Sequence, residues 1–354
     1  MHKHFFKFDN LVTIKDILNI LEISVSVFLL NNIKKDITTL EMHVSDIVSY
    51  KNLSINKLSY LSDKKKIDDN IKNGIIITEQ KNICLMNSDV VIIPHPMPKL
   101  AFHKILNFYF DQCFLKSKIY SKHSSALIDS KATIGKNVNI GPFTIIEEGA
   151  IIEDNSYISE RVTISTNCKI GQGSFVGAGT FIEYSIIGDN VRISSNSVIG
   201  KNGFGFIPNK INTSITPHLG AVIIGNNTNI GSCCTIDRGL LDNTTIGNFV
   251  MIDNQVHIGH NCVIDDFCIL AGQVGLSGSV KLEKNVVMGG DVSIKDNVTI
   301  GENSIIAGAS KVFNNFPKNS KIGGNPAQDL IGWQRLIIFQ KQELRKRKFK
   351  KNDT

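Results

Sequence analysis

No apolar run in this 354-residue chain approaches the roughly 20 residues that cross a bilayer. The longest candidate, residues 23–30, is broken by serines. The first residues, MHKHFFKFDN, lack the apolar core and small-residue cleavage site of a secretion signal. Paired cysteines are missing as well: the seven cysteines include no CxxC, which fits a reducing compartment, and the cytoplasm is the expected location. Cys168, Cys233, Cys262 and Cys268 fall inside a repeat described below and are expected to pack. A broad basic face is also absent. The net charge of +7 is concentrated at the C-terminal end, in Lys341, Arg345, Lys346, Arg347, Lys348, Lys350 and Lys351, against only Glu343 and Asp353. That distribution argues against nucleic acid as a partner.

What the chain has is a six-residue refrain. From Ala126 it reads ALIDSK, ATIGKN, VNIGPF, TIIEEG, AIIEDN, with an aliphatic residue in each third place: Ile128, Ile134, Ile140, Ile146, Ile152 and onward to Ile306. A period of six is neither helical nor a simple strand alternation. It predicts a mainly β fold, a three-sided parallel β-helix in which each hexapeptide forms one side. Third-place residues point inward, and Gly, Asn and Asp take the corners. Residues 18 apart then stack about 4.8 Å apart, giving about ten coils.

Residues 1–112 do not follow the refrain. A short helix over residues 13–21 capped by Thr13, strands at 74–78 and 90–94, and a helix from Pro96 to about Phe110 predict a small α/β domain. The prism is expected over 113–315, and a terminal helix from about Gln328, with Trp333 and Leu336 on one side, plus the basic tail, over 316–354. Three interruptions break the prism: a residue missing between Ile182 and Ile187, an insertion at 201–221, and a second insertion at Gly239–Asp242. Loops thrown from a rigid solenoid are where function collects.

Candidate bases in the prism are His218, His257 and His260. Asp253 and Asn254 lie one side before the two later histidines, so Asp253 is expected to orient the base. Adding 18 to His260 gives Gly278, whose exposed N–H suits an oxyanion. The residues alone leave open an acyltransferase, a scaffold without a reaction, or a zinc hydratase. The last would need a third histidine near His257 and His260, and spacing supplies none.

The hexapeptide prism resembles the left-handed β-helix acyltransferases. The segments GFGF, VIIGNNTNIGSCCTIDRGLLDNTTIG, IDNQVHIGHNCVI and AGQVGLSGSVKL, in this order, resemble the UDP-3-O-acylglucosamine N-acyltransferases of lipid A synthesis. The resemblance spans nearly the whole chain. It implies a left-handed prism, a uridine-binding first domain and a homotrimer with its sites between subunits. It further implies transfer of a (3R)-3-hydroxyacyl group from acyl carrier protein to the 2-amine of the UDP-sugar. No permanently bound cofactor and no metal are implied, since the donor's phosphopantetheine arm carries the acyl group. By position the catalytic base falls on His260, its support on Asp253 with Asn254 beside it, and the oxyanion glycine on Gly278. His257 stands where the family often has glutamine. In the uracil-binding segment Tyr60 keeps an aromatic ring, while Asp63 replaces an asparagine and Lys66 a tyrosine. A further family histidine is Asn297 here. Another nucleotide-sugar acyltransferase, acting on a hydroxyl or drawing on acetyl-CoA, is the alternative enzyme.

Overall fold

The computed structural model describes residues 12–32, 35–62, 71–114, 121–208, 213–324, 335 and 338–344. They form two compact units, Met1–Ile119 and Tyr120–Thr354.

The first unit is built on a four-stranded parallel sheet, in the order Asp46–Ile47, Lys57–Leu61, Gly74–Thr78, Val90–Pro94. The runs GIIIT and VVIIP are buried along their whole length, as expected where both faces of a parallel sheet are covered. Helices Ile14–Ile20, Val25–Asn31 and Pro98–Phe114 place Ile14, Ile17, Phe28, Ala101 and Ile105 against one face. Thr13 caps the first helix, and the Asp16 carboxylate returns the bond to the Thr13 N–H. No helix among the described residues is long and apolar enough to cross a membrane.

The second unit is the predicted prism. Its sides are parallel sheets of ten, nine and ten short strands. The first side begins at Leu127–Ile128, the second at Thr133–Ile134 and the third at Asn139–Ile140. Third-place residues stack directly, Ile146 on Ile164 and Ile164 on Ile182, and form one continuous apolar column. Each fully buried isoleucine contributes about 1.5–3 kcal/mol relative to exposure. The corners are occupied at positive φ by Asn137, Asn155, Asn167, Asn190 and later asparagines, because their short amides tolerate that backbone.

Two expectations need correcting. The corners are not reserved for small or turn-prone residues: Phe249 and Phe267 also hold positive φ, a conformation costing roughly 1–2 kcal/mol. They stack face to face on successive coils, with ring centroids 5.2 Å apart. Cys233 is an exposed corner residue, also at positive φ, so it does not pack; its neighbour Cys234 takes the interior place. Residues 338–344 are helical, whereas Trp333, Leu336 and Arg345–Thr354 lie outside the described residues.

Candidate active site

All three interruptions fall on one edge of the prism, between the first and second sides. The missing residue lies between strands Phe181–Ile182 and Ser185–Ile187, and the long insertion between Val198–Lys201 and Val222–Ile224. The short insertion lies between Thr235–Asp237 and Thr244–Ile246. His260 follows strand His257–Ile258 on the same edge, one coil further on. The long insertion carries a two-stranded antiparallel hairpin, Phe206–Pro208 with Thr213–Ile215.

Arg238 anchors that insertion to the coil. Its Nε donates to the carbonyl of His218 at 2.8 Å, and its Nη1 to the carbonyl of Gly200 at 2.7 Å and to Glu183 at 3.1 Å. The guanidinium lies 4.2 Å from the Tyr184 ring centroid. Five fixed donors in one plane suit this job, which a lysine could not perform. Held this way, His218 packs edge-to-face on His260 with centroids 5.1 Å apart. Gly203 lies between them, and a Cβ there would sit 2.7 Å from the His260 Cβ and 2.8 Å from the His218 Nε2.

His260 borders a cavity of about 560 Å³ lined in part by Phe204, Asp237, His257, Gly278, Asp296 and Asn297. Its two ring nitrogens face different partners. Nδ1 lies 3.0 Å from the Oδ1 of Asn261. Nε2 faces Gly278, where a Cβ would approach it to 2.6 Å. At several corners the N–H two residues past the inward aliphatic is taken by a side chain from the next coil, as Gln172 N–H by Asp189 and Asn248 N–H by Asp266. Among the described residues no acceptor takes the Gly278 N–H. The His260 imidazole and an open amide donor therefore share one cavity wall, an arrangement suited to acyl transfer.

Of the two carboxylates lining this cavity, Asp237 and Asp296, Asp237 is the less exposed. It lies one coil below the His260 turn, 3.9 Å from the Nε2 of His257, whose Nδ1 bonds the Thr235 hydroxyl at 2.8 Å. Burial pushes the Asp237 carboxyl above its ordinary range, while the imidazoles of His257, His260 and His218 and the Arg238 guanidinium pull the other way. Nearby, burial pushes the Cys262 thiol up to about 12, so it stays protonated and cannot serve as a nucleophile.

Of the residues named from the sequence, the structure brings together His257, His260, Gly278 and Asn297 around one cavity, with His218 packed on His260. The Asn297 amide donates to Asp296 on the cavity rim. Asp253 does not belong to this group within the chain. It sits after Ile252 at the far edge of the first side, with strand His257–Ile258 between it and His260, and its Oδ1 accepts from the backbone and side chain of Asn254. Asn254 in turn accepts the Ser232 N–H, an ordinary corner contact. Tyr60 is half-buried in the first unit with its ring 4.7 Å from Phe102. Asp63 and Lys66 lie outside the described residues. Sequence reasoning missed Asp237 and Asn261 and found no place for His218. His218 is the third imidazole that spacing did not supply, yet among the described residues no group of three or more His, Cys, Asp or Glu side chains is arranged to hold a metal ion.

Comparison with known proteins agrees with this fold. Residues 243–278 match the bacterial transferase hexapeptide family model (six repeats), and residues 118–210 match the GMPPB C-terminal domain. The solved structure of an Arabidopsis UDP-N-acetylglucosamine acyltransferase superposes with a TM-score of 0.50 at 27% identity, covering 60% of this chain and 76% of that one. With such neighbours the prism is a left-handed β-helix. Among curated proteins, UDP-3-O-acylglucosamine N-acyltransferase 2 of Legionella pneumophila strain Lens is 41% identical over 48% of this chain and 49% of its own length. UDP-3-O-acylglucosamine N-acyltransferase 2 of Legionella pneumophila strain Philadelphia 1 is 46% identical over 311 residues, 82% of this chain and 90% of that protein. By that extent and identity, the chain belongs to the UDP-3-O-acylglucosamine N-acyltransferase family.

Proposed function

We propose that the protein N-acylates UDP-3-O-acylglucosamine, taking a (3R)-3-hydroxyacyl group from acyl carrier protein. The observation that carries this is the placement of the His260 Nε2 against the open Gly278 amide inside one cavity. The neutral 2-amine attacks the thioester carbonyl carbon, and the carbonyl electron pair moves onto oxygen, where the Gly278 N–H receives it. As the C–N bond forms, Nε2 of His260 takes a proton from nitrogen. The half-buried Asp237 carboxylate stabilises the resulting imidazolium through space. The intermediate then collapses, the C–S bond breaks, and His260 returns its proton to the departing sulfur.

The first unit is assigned to uridine, with Tyr60 as the stacking ring. The proposed assembly is a homotrimer, and the proposed location the cytoplasm. On the third side Met251, Ile269 and Ile305 are exposed in one column beside the stacked Phe249 and Phe267, an apolar stripe suited to a second copy. Acidic acyl carrier protein is the donor that a basic C-terminal segment would steer.

Purified protein is incubated with UDP-3-O-acylglucosamine and either acyl carrier protein or coenzyme A thioesters, and products are read by mass spectrometry. An amide product formed with the carrier thioester supports the assignment. An ester product, or exclusive use of coenzyme A, would replace it with the alternative acyltransferase.

A further inference from the structure

The short insertion Gly239–Asp242 has no role in the chemistry above, and it contributes nothing to the apolar column. Its backbone nevertheless contacts one side chain twice. The Leu240 N–H donates to the Oδ1 of Asn261 at 2.9 Å. The Nδ2 of Asn261 donates to the carbonyl of Asp242 at 3.3 Å. A third contact, from the Asn261 N–H to the Thr244 hydroxyl at 2.9 Å, fixes the residue's backbone.

The two insertion contacts together decide which way the amide points. If it were turned over, Nδ2 would face the Leu240 N–H, donor against donor, and Oδ1 would face the Asp242 carbonyl, acceptor against acceptor. Oδ1 is therefore the atom presented to His260, 3.0 Å from Nδ1. An amide oxygen can only accept, so Nδ1 of His260 must carry the proton. The lone pair is then left on Nε2, the nitrogen facing Gly278.

We propose that the Gly239–Asp242 insertion is a tautomer lock. It orients Asn261, and Asn261 as a positioning residue keeps His260 in the one neutral form that can accept a proton on the cavity side. The lock rests on the assignment of His260 as the base. It differs from a carboxylate partner in a specific way. A neutral amide selects the tautomer while raising imidazole basicity less than a carboxylate would, and the charge that stabilises the imidazolium comes separately from Asp237.

The test uses the full chain with ¹⁵N-labelled histidine, and the His260 signals are identified by their loss in His260→Ala. In the wild type at neutral to alkaline pH, Nδ1 should be protonated and Nε2 bare. In Asn261→Ala the two tautomers should mix, and kcat should fall roughly 10–100-fold with KM unchanged for both substrates. Asn261→Asp, which still accepts from Nδ1–H, should restore the single tautomer. Its added charge should also move the acidic limb of the pH–rate profile upward, beyond the settings imposed by Asp237 on the coil below, His218 in the long insertion, His257 on the preceding strand and Asp296 above. Removing residues 239–242 restores the regular period and leaves Asn261 in place. It should mix the tautomers as the alanine does, and it keeps the test decisive if Asn261→Ala does not fold. A single unchanged tautomer in either variant would overturn the lock. If His260→Ala kept full activity, the assignment of the base would fall instead, while the tautomer signals would still score the lock.

Discussion

Any side chain at position 278 collides with His260: a Cβ built on Gly278 lies 2.6 Å from Nε2 and 2.7 Å from Cε1. Alanine there must push the imidazole out of line and crowd the free N–H. Gly278→Ala should lower kcat by roughly 10²–10³, the range for losing an oxyanion donor. Its melting temperature should stay near that of the wild type, because the residue lies outside the apolar column. Near-normal turnover would remove Gly278 from the mechanism.

His260→Ala should cost roughly 10²–10⁴ in turnover, as expected for a lost general base. His257 is half-exposed and bonded to Thr235, so His257→Gln should be mild. Equal losses in the two variants would mean that the wrong imidazole has been assigned.

Asp237 gives a pH test with a definite sign. Its carboxyl is raised above the ordinary 3.8 by burial, so the folded state holds that proton more tightly than the unfolded chain. Stability therefore falls as pH rises from about 3.8 through the folded value, and the ionised group is a net burden at neutral pH. Asp237→Asn should raise the melting temperature at pH 7 and lose that advantage as the pH is brought below about 4, while turnover drops. A variant less stable than the wild type at pH 7 would contradict the sign.

The apolar stripe can be tested by charge. Ile269→Glu, alone or with Met251→Glu, puts carboxylates into the column on the third side. Sedimentation should shift from trimer to monomer with each prism still folded by circular dichroism. A trimer that survives both changes would move the interface elsewhere.

Tyr60→Ala should raise KM for the UDP-sugar, since stacking on a base is worth roughly 1–3 kcal/mol. It should also lower the melting temperature, because Phe102 loses its ring partner. Tyr60→Phe should spare both. An unchanged KM in the alanine variant would move the uracil off this ring.

The prism is legible from its period, and so is the pairing of His260 with Gly278, because no interruption lies between them and 18 residues make one coil. Below His260 the arithmetic fails. Thr235 pairs with His257, 22 positions later, and Ile199 with Ile236, 37 positions later. A fixed step therefore walks past Asp237. Asp253 shares a coil with His260, but sharing a coil says nothing of which corner a side chain occupies. His218 lies in an insertion that no period governs. The available signal is that every interruption falls on the edge His260 occupies.

A solenoid makes its contacts between adjacent coils, so disturbance travels along the axis only by being handed from one rung to the next. The strand carrying His257 is fourth from the C-terminal end of its ten-stranded side, with six strands on the other flank. Fraying that begins at the N-terminal cap must unzip several intact rungs before it reaches the cavity, whereas fraying from the opposite cap has little distance to cover. Tolerance to substitution should be lopsided in the same way. Rungs near Leu127 can be weakened with small effect on turnover, and the same change near Lys311 should act on the reaction almost directly.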